Sequence, residues 1–233
     1  MLELRNIQVT RGDFSLQANL TVEAGTRNAV IGASGSGKST LLSVIAGFLA
    51  PKAGRVLWNG VDLTDIAPGK RPISILFQDQ NLFPHLTASQ NVGLGLRPDL
   101  RLDDLQQERV AKVLSQVGLD GLSDRRPANL SGGQQSRVAL ARVLLRARPL
   151  LLLDEPFAAL GPALKSEMLA LLHQIADDMG TTVLMVTHDP DDARALTPGT
   201  ILIDKGVAHQ PVATELLLQN PPAGLKAYLG LGE

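Results

Sequence analysis

The chain has 233 residues, 44% of them apolar, and a formal net charge of −1 at pH 7, enough apolar material to bury a sizeable core in one large domain or two small ones and to fold unaided. This near-zero balance, with a pI near 6.4, gives no sign of a broad basic surface of the kind that neutralises nucleic-acid phosphates, which argues against nucleic acid as the main partner. Cysteine is absent, which excludes disulfide frameworks and thiolate metal sites.

The opening stretch, MLELRNIQVT, mixes acidic and basic residues and has no apolar run, so it does not read as a secretory signal. No segment approaches the roughly 18 apolar residues of a membrane span. The expectation is a cytoplasmic chain that meets a membrane only through a partner. Alternation in LELRNIQV (2–9) and FSLQANLTV (14–22) predicts two half-buried strands joined at Arg11, Gly12 and Asp13 as an antiparallel pair. RNAVIG (27–32) is a strand-length run, followed by the glycine-rich GASGSGKST (32–40) and a helical stretch from Lys38 to Leu49. RVLWNG and ISILFQ read as strands, punctuated by Pro51, Gly54, Gly60 and Pro68-Gly69.

Residues 86–130 read as a mainly helical insertion. Within it Leu105, Val110, Val113, Leu114 and Val117 recur near a 3.6 period, with acidic residues in the first turn and Gly118 just past the end. A helix from Ser131 to Ala147, a strand at 149–154, a helix from Pro162 to Met179 and a strand at 181–186 follow. The tail holds two strand-like pieces, ILIDKG and VAHQ, a helix near 213–219 and a Pro-Pro break at 221–222. Strands alternating with helices argue an α/β fold with a parallel sheet, preceded by an antiparallel β unit. No linker, repeat or low-complexity segment interrupts residues 1–233, which read as a single domain.

Three stretches carry chemistry. Residues 32–39 fit G-x-x-x-x-G-K-[ST] between a strand and a helix, a loop whose backbone N–H groups cradle phosphates while Lys38 reaches the β and γ phosphates and Ser39 ligates Mg²⁺. The helix dipole adds to this anion site. LLLLDEP (150–156) is a strand apolar on both faces that delivers Asp154 at its carboxyl end, where ligands of open α/β sheets bind. Asp154 is the candidate Mg²⁺ partner, and Glu155 the group that would polarise an attacking water. The third, LSGGQ (130–134), places Ser131 as a helix N-cap before two glycines. On physical grounds alone it is either a second anion-binding helix start or a capped helix after a tight turn.

Together GASGSGKST, the glutamine of LFQD, LSGGQ, LLLLDEP and VTHD, in this order, resemble the ATP-binding subunits of ABC transporters over essentially the whole chain. The resemblance implies a P-loop ATPase core with an antiparallel β subdomain and a helical subdomain near 86–130. It also implies a homodimer in which each ATP lies between the phosphate loop of one chain (Gly32, Ala33, Ser34, Gly35, Ser36, Gly37, Lys38, Ser39, Thr40) and Ser131, Gly132, Gly133 and Gln134 of the other. By the same resemblance Mg²⁺ is held by Ser39, Gln78 and Asp154, Glu155 is the catalytic base, and Gln78 and His188 complete the catalytic set.

The implied partners are membrane-embedded permease subunits, contacted through FQDQNLFPHLTASQNVGLGL, and through them a periplasmic solute-binding protein. The implied place is the cytoplasmic face of the bacterial inner membrane. Within the family the chain looks most like the ATP-binding subunits of thiamine or thiamine diphosphate importers, on AGFL (46–49), GKRP (69–72), the FQDQ segment and the compact tail. Alternatives in view are an importer of a polyamine, iron or an anion, an exporter-type complex, a soluble ABC-type ATPase acting on DNA or ribosomes, and a nucleotide sensor with little turnover.

Three departures from the family pattern stand out. Gly161 follows AAL where an aspartate is usual, the expected adenine-stacking aromatic is replaced near the first turn by Arg11 with Phe14 close by, and Gln135-Ser136-Arg137 follows LSGGQ, leaving Arg137 to carry a charge that usually comes earlier.

Overall fold

The structure is a computed structural model that describes residues 1–79, 81–158 and 160–228. Gln80, inside the FQDQ segment, and Ala159, two residues before Gly161, lie outside the described residues, as do residues 229–233.

The first hairpin forms as its alternation predicts: β1 (Leu2–Arg11) pairs antiparallel with β2 (Phe14–Val22), from Leu2 opposite Val22 to Arg11 opposite Phe14. Leu2, Leu4, Ile7 and Val9 of β1 turn inward beside Leu16, Ala18, Leu20 and Val22 of β2. Then follow β3 (Arg27–Ile31), α1 (Lys38–Ala46), β4 (Ala53–Trp58), β5 (Val61–Asp62) and β6 (Ile73–Leu76). Next come three helices, α2 (Ala88–Gly93), α3 (Asp104–Gln116) and α4 (Gly132–Leu145). The rest of the chain alternates β7 (Leu150–Asp154), α5 (Pro162–Met179), β8 (Thr182–Val186), α6 (Pro190–Leu196) and β9 (Gly199–Asp204). It ends with β10 (Val207–Ala208), β11 (Val212–Ala213), α7 (Thr214–Gln219) and α8 (Ala223–Tyr228).

Among the described residues the strands join in the order β5-β4-β1-β2-β10-β9-β3-β8-β7-β6, with β11 against β9. The pairs β9·β3, β3·β8, β8·β7 and β7·β6 are parallel, so this half of the sheet has all its carboxyl ends on one edge. The run LLLL explains how the two halves of the core are divided. Because side chains alternate across a strand, Leu150 and Leu152 enter a core shared with α1 and the β1–β2 hairpin, whereas Leu151 and Leu153 enter one shared with α3, α4 and α5. Met185 and Val183 of β8 join the second core, Leu184 and Val186 the first. Each such leucine removed from water contributes about 1.5–3 kcal/mol before entropy is counted.

Capping sets the helix boundaries. Thr87, Asp103 and Ser131 each close a capping box with a glutamine three residues on, Gln90, Gln106 and Gln134. The helix after the glycine loop is shorter than the apolar pattern predicts. Gly47, at φ 87°, turns left-handed and sends its N–H to the carbonyls of Ser43 and Val44, so Phe48 and Leu49 fall outside α1. A β-carbon at Gly47 would lie 2.5 Å from the guanidinium of Arg71. That side chain is only 2% exposed, and it donates to the carbonyls of Val44, Ile45, Thr64 and Ile66 at 2.7–3.0 Å. Two of these acceptors belong to the last turn of α1, whose carbonyls have no partner within the helix.

Candidate functional site

The glycine loop links β3 to α1 and lines a cleft of about 580 Å³ together with Phe14, Gln78 and Glu155. Gly32 (φ 155°) comes so close to the carbonyl of Ile203 that a β-carbon would collide with it, and Gly37 (φ 111°) lies against the ring of Phe14. At both positions the backbone adopts a conformation open to glycine and comes closer to its neighbours than a side chain permits. Ser34, Gly35, Gly37, Lys38, Ser39 and Thr40 all face the cleft. Lys38 is buried to 9% exposure, and its Nζ donates to the carbonyls of Gly32 and Ala33 at 2.8 and 3.0 Å. Burial lowers its pKa, against the opposing pull of Glu155 and Asp154. Ser36 Oγ is buried without a hydrogen-bond partner.

Asp154 ends β7 at the carboxyl edge of the sheet and is 8% exposed. Burial raises its pKa, while a hydrogen bond with Ser39 and the charge of Lys38 pull it down and the neighbouring Glu155 pushes it up. Ser39 and Asp154, widely separated in sequence, are therefore close enough for the serine hydroxyl to pull on the carboxylate. Glu155 leaves the strand at φ 47°, a left-handed backbone that is rare for a residue with a side chain, and it stands directly before Pro156. Its N–H donates to the carbonyl of Val186 at 3.1 Å, so the strained residue is pinned to the end of β8.

Gln78 is exposed two residues beyond β6, and its side chain lines the cleft. His188 follows β8, with Nδ1 3.4 Å from Oε2 of Glu155. A small crevice lined by both residues runs on to Asp192. Lys38, Ser39, Gln78, Asp154, Glu155 and His188, from four separate stretches of sequence, thus meet at one sheet edge, the place expected of a ligand site in an open α/β sheet.

The LSGGQ segment does not join them, since Ser131, Gly132, Gly133 and Gln134 are absent from the lining of this cleft. Ser131 Oγ accepts from the N–H of Gln134 at 3.3 Å, and Gln134 Oε1 accepts from the N–H of Ser131 at 2.9 Å. Within the single chain the segment is a capped helix start with an exposed serine. Arg137 points elsewhere: its Nη1 donates to the carbonyls of Val117 and Gly118, capping the end of α3. Phe14, not Arg11, lines the cleft; Arg11 is the exposed last residue of β1. Gly161 is the N-cap of α5 and supplies no side-chain cap.

The residues fit a nucleoside triphosphate with a divalent cation. The orphaned hydroxyl of Ser36, the buried ammonium of Lys38 and the N-terminus of α1 suit phosphate oxygens. The buried Asp154 carboxylate and the Ser39 hydroxyl are hard oxygen donors of the kind Mg²⁺ takes, with phosphates and water completing its shell.

Comparison with known proteins agrees. Residues 16–158 match the model of a family described as ABC transporter. The chain is 60% identical to the thiamine import ATP-binding protein ThiQ of Cereibacter sphaeroides over 230 residues, covering 99% of this chain and 100% of that protein. It is 47% identical to the protein of the same name from Escherichia coli K12 over 232 residues, covering 99% of each. Among solved structures, the dimeric post-hydrolysis state of the ATP-binding cassette MJ0796 bound to ADP and Pi superposes with a TM-score of 0.81 at 31% identity, covering 92% of this chain and 99% of that one. The site geometry, the family match and these full-length relatives lead to one conclusion: the chain belongs to the ABC transporter family as an ATP-binding cassette.

Proposed function

We propose that the chain is the ATP-hydrolysing subunit of an importer for thiamine or thiamine diphosphate. The observation that carries the ATPase reading is the meeting of Lys38, Ser39, Asp154, Glu155 and His188 at one sheet edge. The solute comes from the name shared by the full-length relatives. In this reading residues 32–40 hold the triphosphate, and Lys38 exchanges its loop carbonyls for β and γ oxygens. Mg²⁺, when bound, supplies charge to the leaving and transferred phosphates from a seat formed by Ser39, Gln78 and Asp154. Glu155 accepts a proton from the attacking water, oriented by Gln78, while His188 donates to the γ-phosphate. The chemistry is positioning and charge stabilisation, without a covalent enzyme intermediate.

Ser131, Gly132, Gly133 and Gln134 act in trans, on the ATP of a second copy of the chain. Support for this comes from their absence from the chain's own cleft, the exposure of Ser131, and the dimeric cassettes to which the fold is similar. No helix among the described residues is long and apolar enough to cross a membrane, so solute passage is assigned to separate permease subunits. Phe48, in edge contact with Phe77, and Phe83, beside His85, are exposed aromatic rings that suit this contact. In this reading the chain works at the cytoplasmic face of the inner membrane, with a periplasmic binding protein delivering the solute.

The test is uptake of labelled thiamine by cells lacking the chain, complemented with wild type or with Glu155→Gln. Restoration by wild type alone supports motor and cargo together. Uptake that does not depend on the chain refutes the cargo, and normal ATP hydrolysis by purified Glu155→Gln refutes the catalytic role.

A further inference from the structure

Lys165 lies in the first turns of α5 and is not part of the cleft. Its Nζ is 2.5 Å from Oδ2 of Asp189 and 2.7 Å from Oδ1 of Asp192. Asp189 follows His188 in sequence and caps α6, its carboxylate accepting from the N–H of Asp191 at 2.9 Å. The other oxygen of Asp192 accepts from Thr187 Oγ1 at 2.9 Å. Thr187 Oγ1 in turn accepts from the N–H of Asp189 at 3.0 Å. Both neighbours of His188, Thr187 and Asp189, are therefore tied to the same ammonium, Asp189 directly and Thr187 through Asp192.

The arrangement is more than a surface ion pair. The side chains of Lys165, Asp189 and Asp192 are 23%, 33% and 12% exposed, so the charges are partly withdrawn from water and interact more strongly than exposed ones. The hydrogen bond from Lys165 holds Asp189 below the usual carboxylate range. Lys165 itself is raised, because its bonds to Asp189 and Asp192 outweigh the opposite effect of burial. Without the ammonium, the carboxylates of the α6 N-cap and of its first turn would face each other with no cation between them. Their repulsion would then act against the bonds that Thr187 makes with Asp189 and Asp192 and loosen the path of the segment.

We propose that Lys165 is a positioning residue for ATP hydrolysis, locking the Thr187–Asp192 segment, which joins β8 to the first turn of α6, so that His188 stays beside Glu155. The inference rests on the catalytic reading of His188 given above. Lys165 and Glu155 flank the same short connection from β7 to α5, and the N–H of Lys165 donates to the carbonyl of Gly161 at its end. The clamp thus ties the His188 side of the 3.4 Å His188–Glu155 approach to α5, while Glu155 is held by its own N–H to the carbonyl of Val186. A displacement of about 1 Å in a catalytic group can cost up to about 100-fold in rate.

The experiment is steady-state ATP hydrolysis by the full-length protein as wild type, Lys165→Met, Lys165→Arg, His188→Ala and Lys165→Met/His188→Ala. Lys165→Met is expected to lower kcat at least about tenfold, with KM for ATP changed less than about twofold, since it touches no nucleotide-binding group. Lys165→Arg, which keeps a cation able to span two carboxylates, is expected to recover most of kcat. In the His188→Ala background the Lys165→Met change is expected to have less than a twofold further effect, because residues acting as a unit are not additive. Urea unfolding of each variant separates misfolding from mispositioning. Wild-type kcat in Lys165→Met alongside a slow His188→Ala overturns this inference alone. Additive losses in the double variant overturn it as well. Wild-type kcat in His188→Ala overturns the catalytic reading of the site, and this inference with it.

Discussion

Replacing Arg71 by methionine is the sharpest probe of how the phosphate loop's helix is anchored. The guanidinium makes four hydrogen bonds to backbone carbonyls at 2.7–3.0 Å and is 2% exposed. Hydrogen bonds to a charged group are worth about 1.5–3 kcal/mol each, so a naive sum gives roughly 6–12 kcal/mol. That sum overshoots, because removing the arginine also returns the several kcal/mol needed to take its charge out of water. Burial is the main influence on Arg71, which it lowers in pKa, with Asp62 and Asp65 opposing from a distance. Methionine fills much of the space but removes the donor from the carbonyls of Ile45, Thr64 and Ile66 and leaves that of Val44 only the N–H of Gly47. A net loss of about 3–5 kcal/mol is expected, a large share of a typical 5–15 kcal/mol of stability.

The assay is equilibrium urea unfolding followed by the fluorescence of Trp58, the single tryptophan, which is 7% exposed in β4. With a slope of about 3 kcal/mol per molar urea, the midpoint is expected to fall by about 1–1.7 M at unchanged slope. Lys at position 71 is expected to recover only part of the loss, since a point charge on a flexible stem cannot serve four carbonyls arranged around a planar fork. A midpoint shift below about 0.3 M for Arg71→Met would mean that these carbonyls find other partners, and the anchoring argument would fail.

Three further outcomes follow from the same structure. Gly161→Asp meets no atom within 4 Å and enters an extended N-cap at φ −67° and ψ 158°, so it is expected to stabilise the chain by a few tenths of a kcal/mol, read from the urea midpoint; a loss of stability would contradict the cap geometry. Phe14→Ala is expected to weaken ATP binding about two- to twelvefold in a nucleotide titration, the worth of one aromatic contact, while Arg11→Ala leaves it unchanged; the reverse ranking would return adenine to Arg11. Asp189 has a lowered pKa in the folded chain, so its contribution is present above the ordinary carboxylate pKa and lost as pH falls through the lowered folded value. Asp189→Asn is therefore expected to be about 1 kcal/mol less stable than wild type at pH 7, with the gap closing in acid; a gap constant from pH 7 to pH 3 would show that charge is not its origin.

Much of the fold was legible because its strands obey a simple period. The β1–β2 hairpin follows from alternation, and LLLL in β7 follows from burial on both faces. Pro162–Met179 emerges as one helix because Pro162 stands at its first position and Gly180 takes the left-handed conformation after its end. What escaped the pattern was short or irregular. β5 and β11 have two residues each, too few to show a period. Helix α6 carried its own signal, Asp189 as N-cap and Pro190 at the first position, but its seven residues show no full apolar stripe.

In the site, the glycine loop and the strand-end acid could be read from chemistry alone. The role of Arg71 could not, since GKRP reads as a basic turn and only the fold reveals the helix end above it. The LSGGQ segment required the family resemblance, because within one chain its hydrogen bonds are those of any capped helix.

With Glu155 as the proposed catalytic base, its backbone puts catalysis and durability in opposition. A left-handed residue before a proline costs about 1–3 kcal/mol, and glycine would relieve it. Among replacements at this position the one that resists heat best is therefore expected to be an inactive one. In that reading selection for thermal endurance alone would drift toward Glu155→Gly, and a requirement for ATP turnover keeps the carboxylate at this strained position.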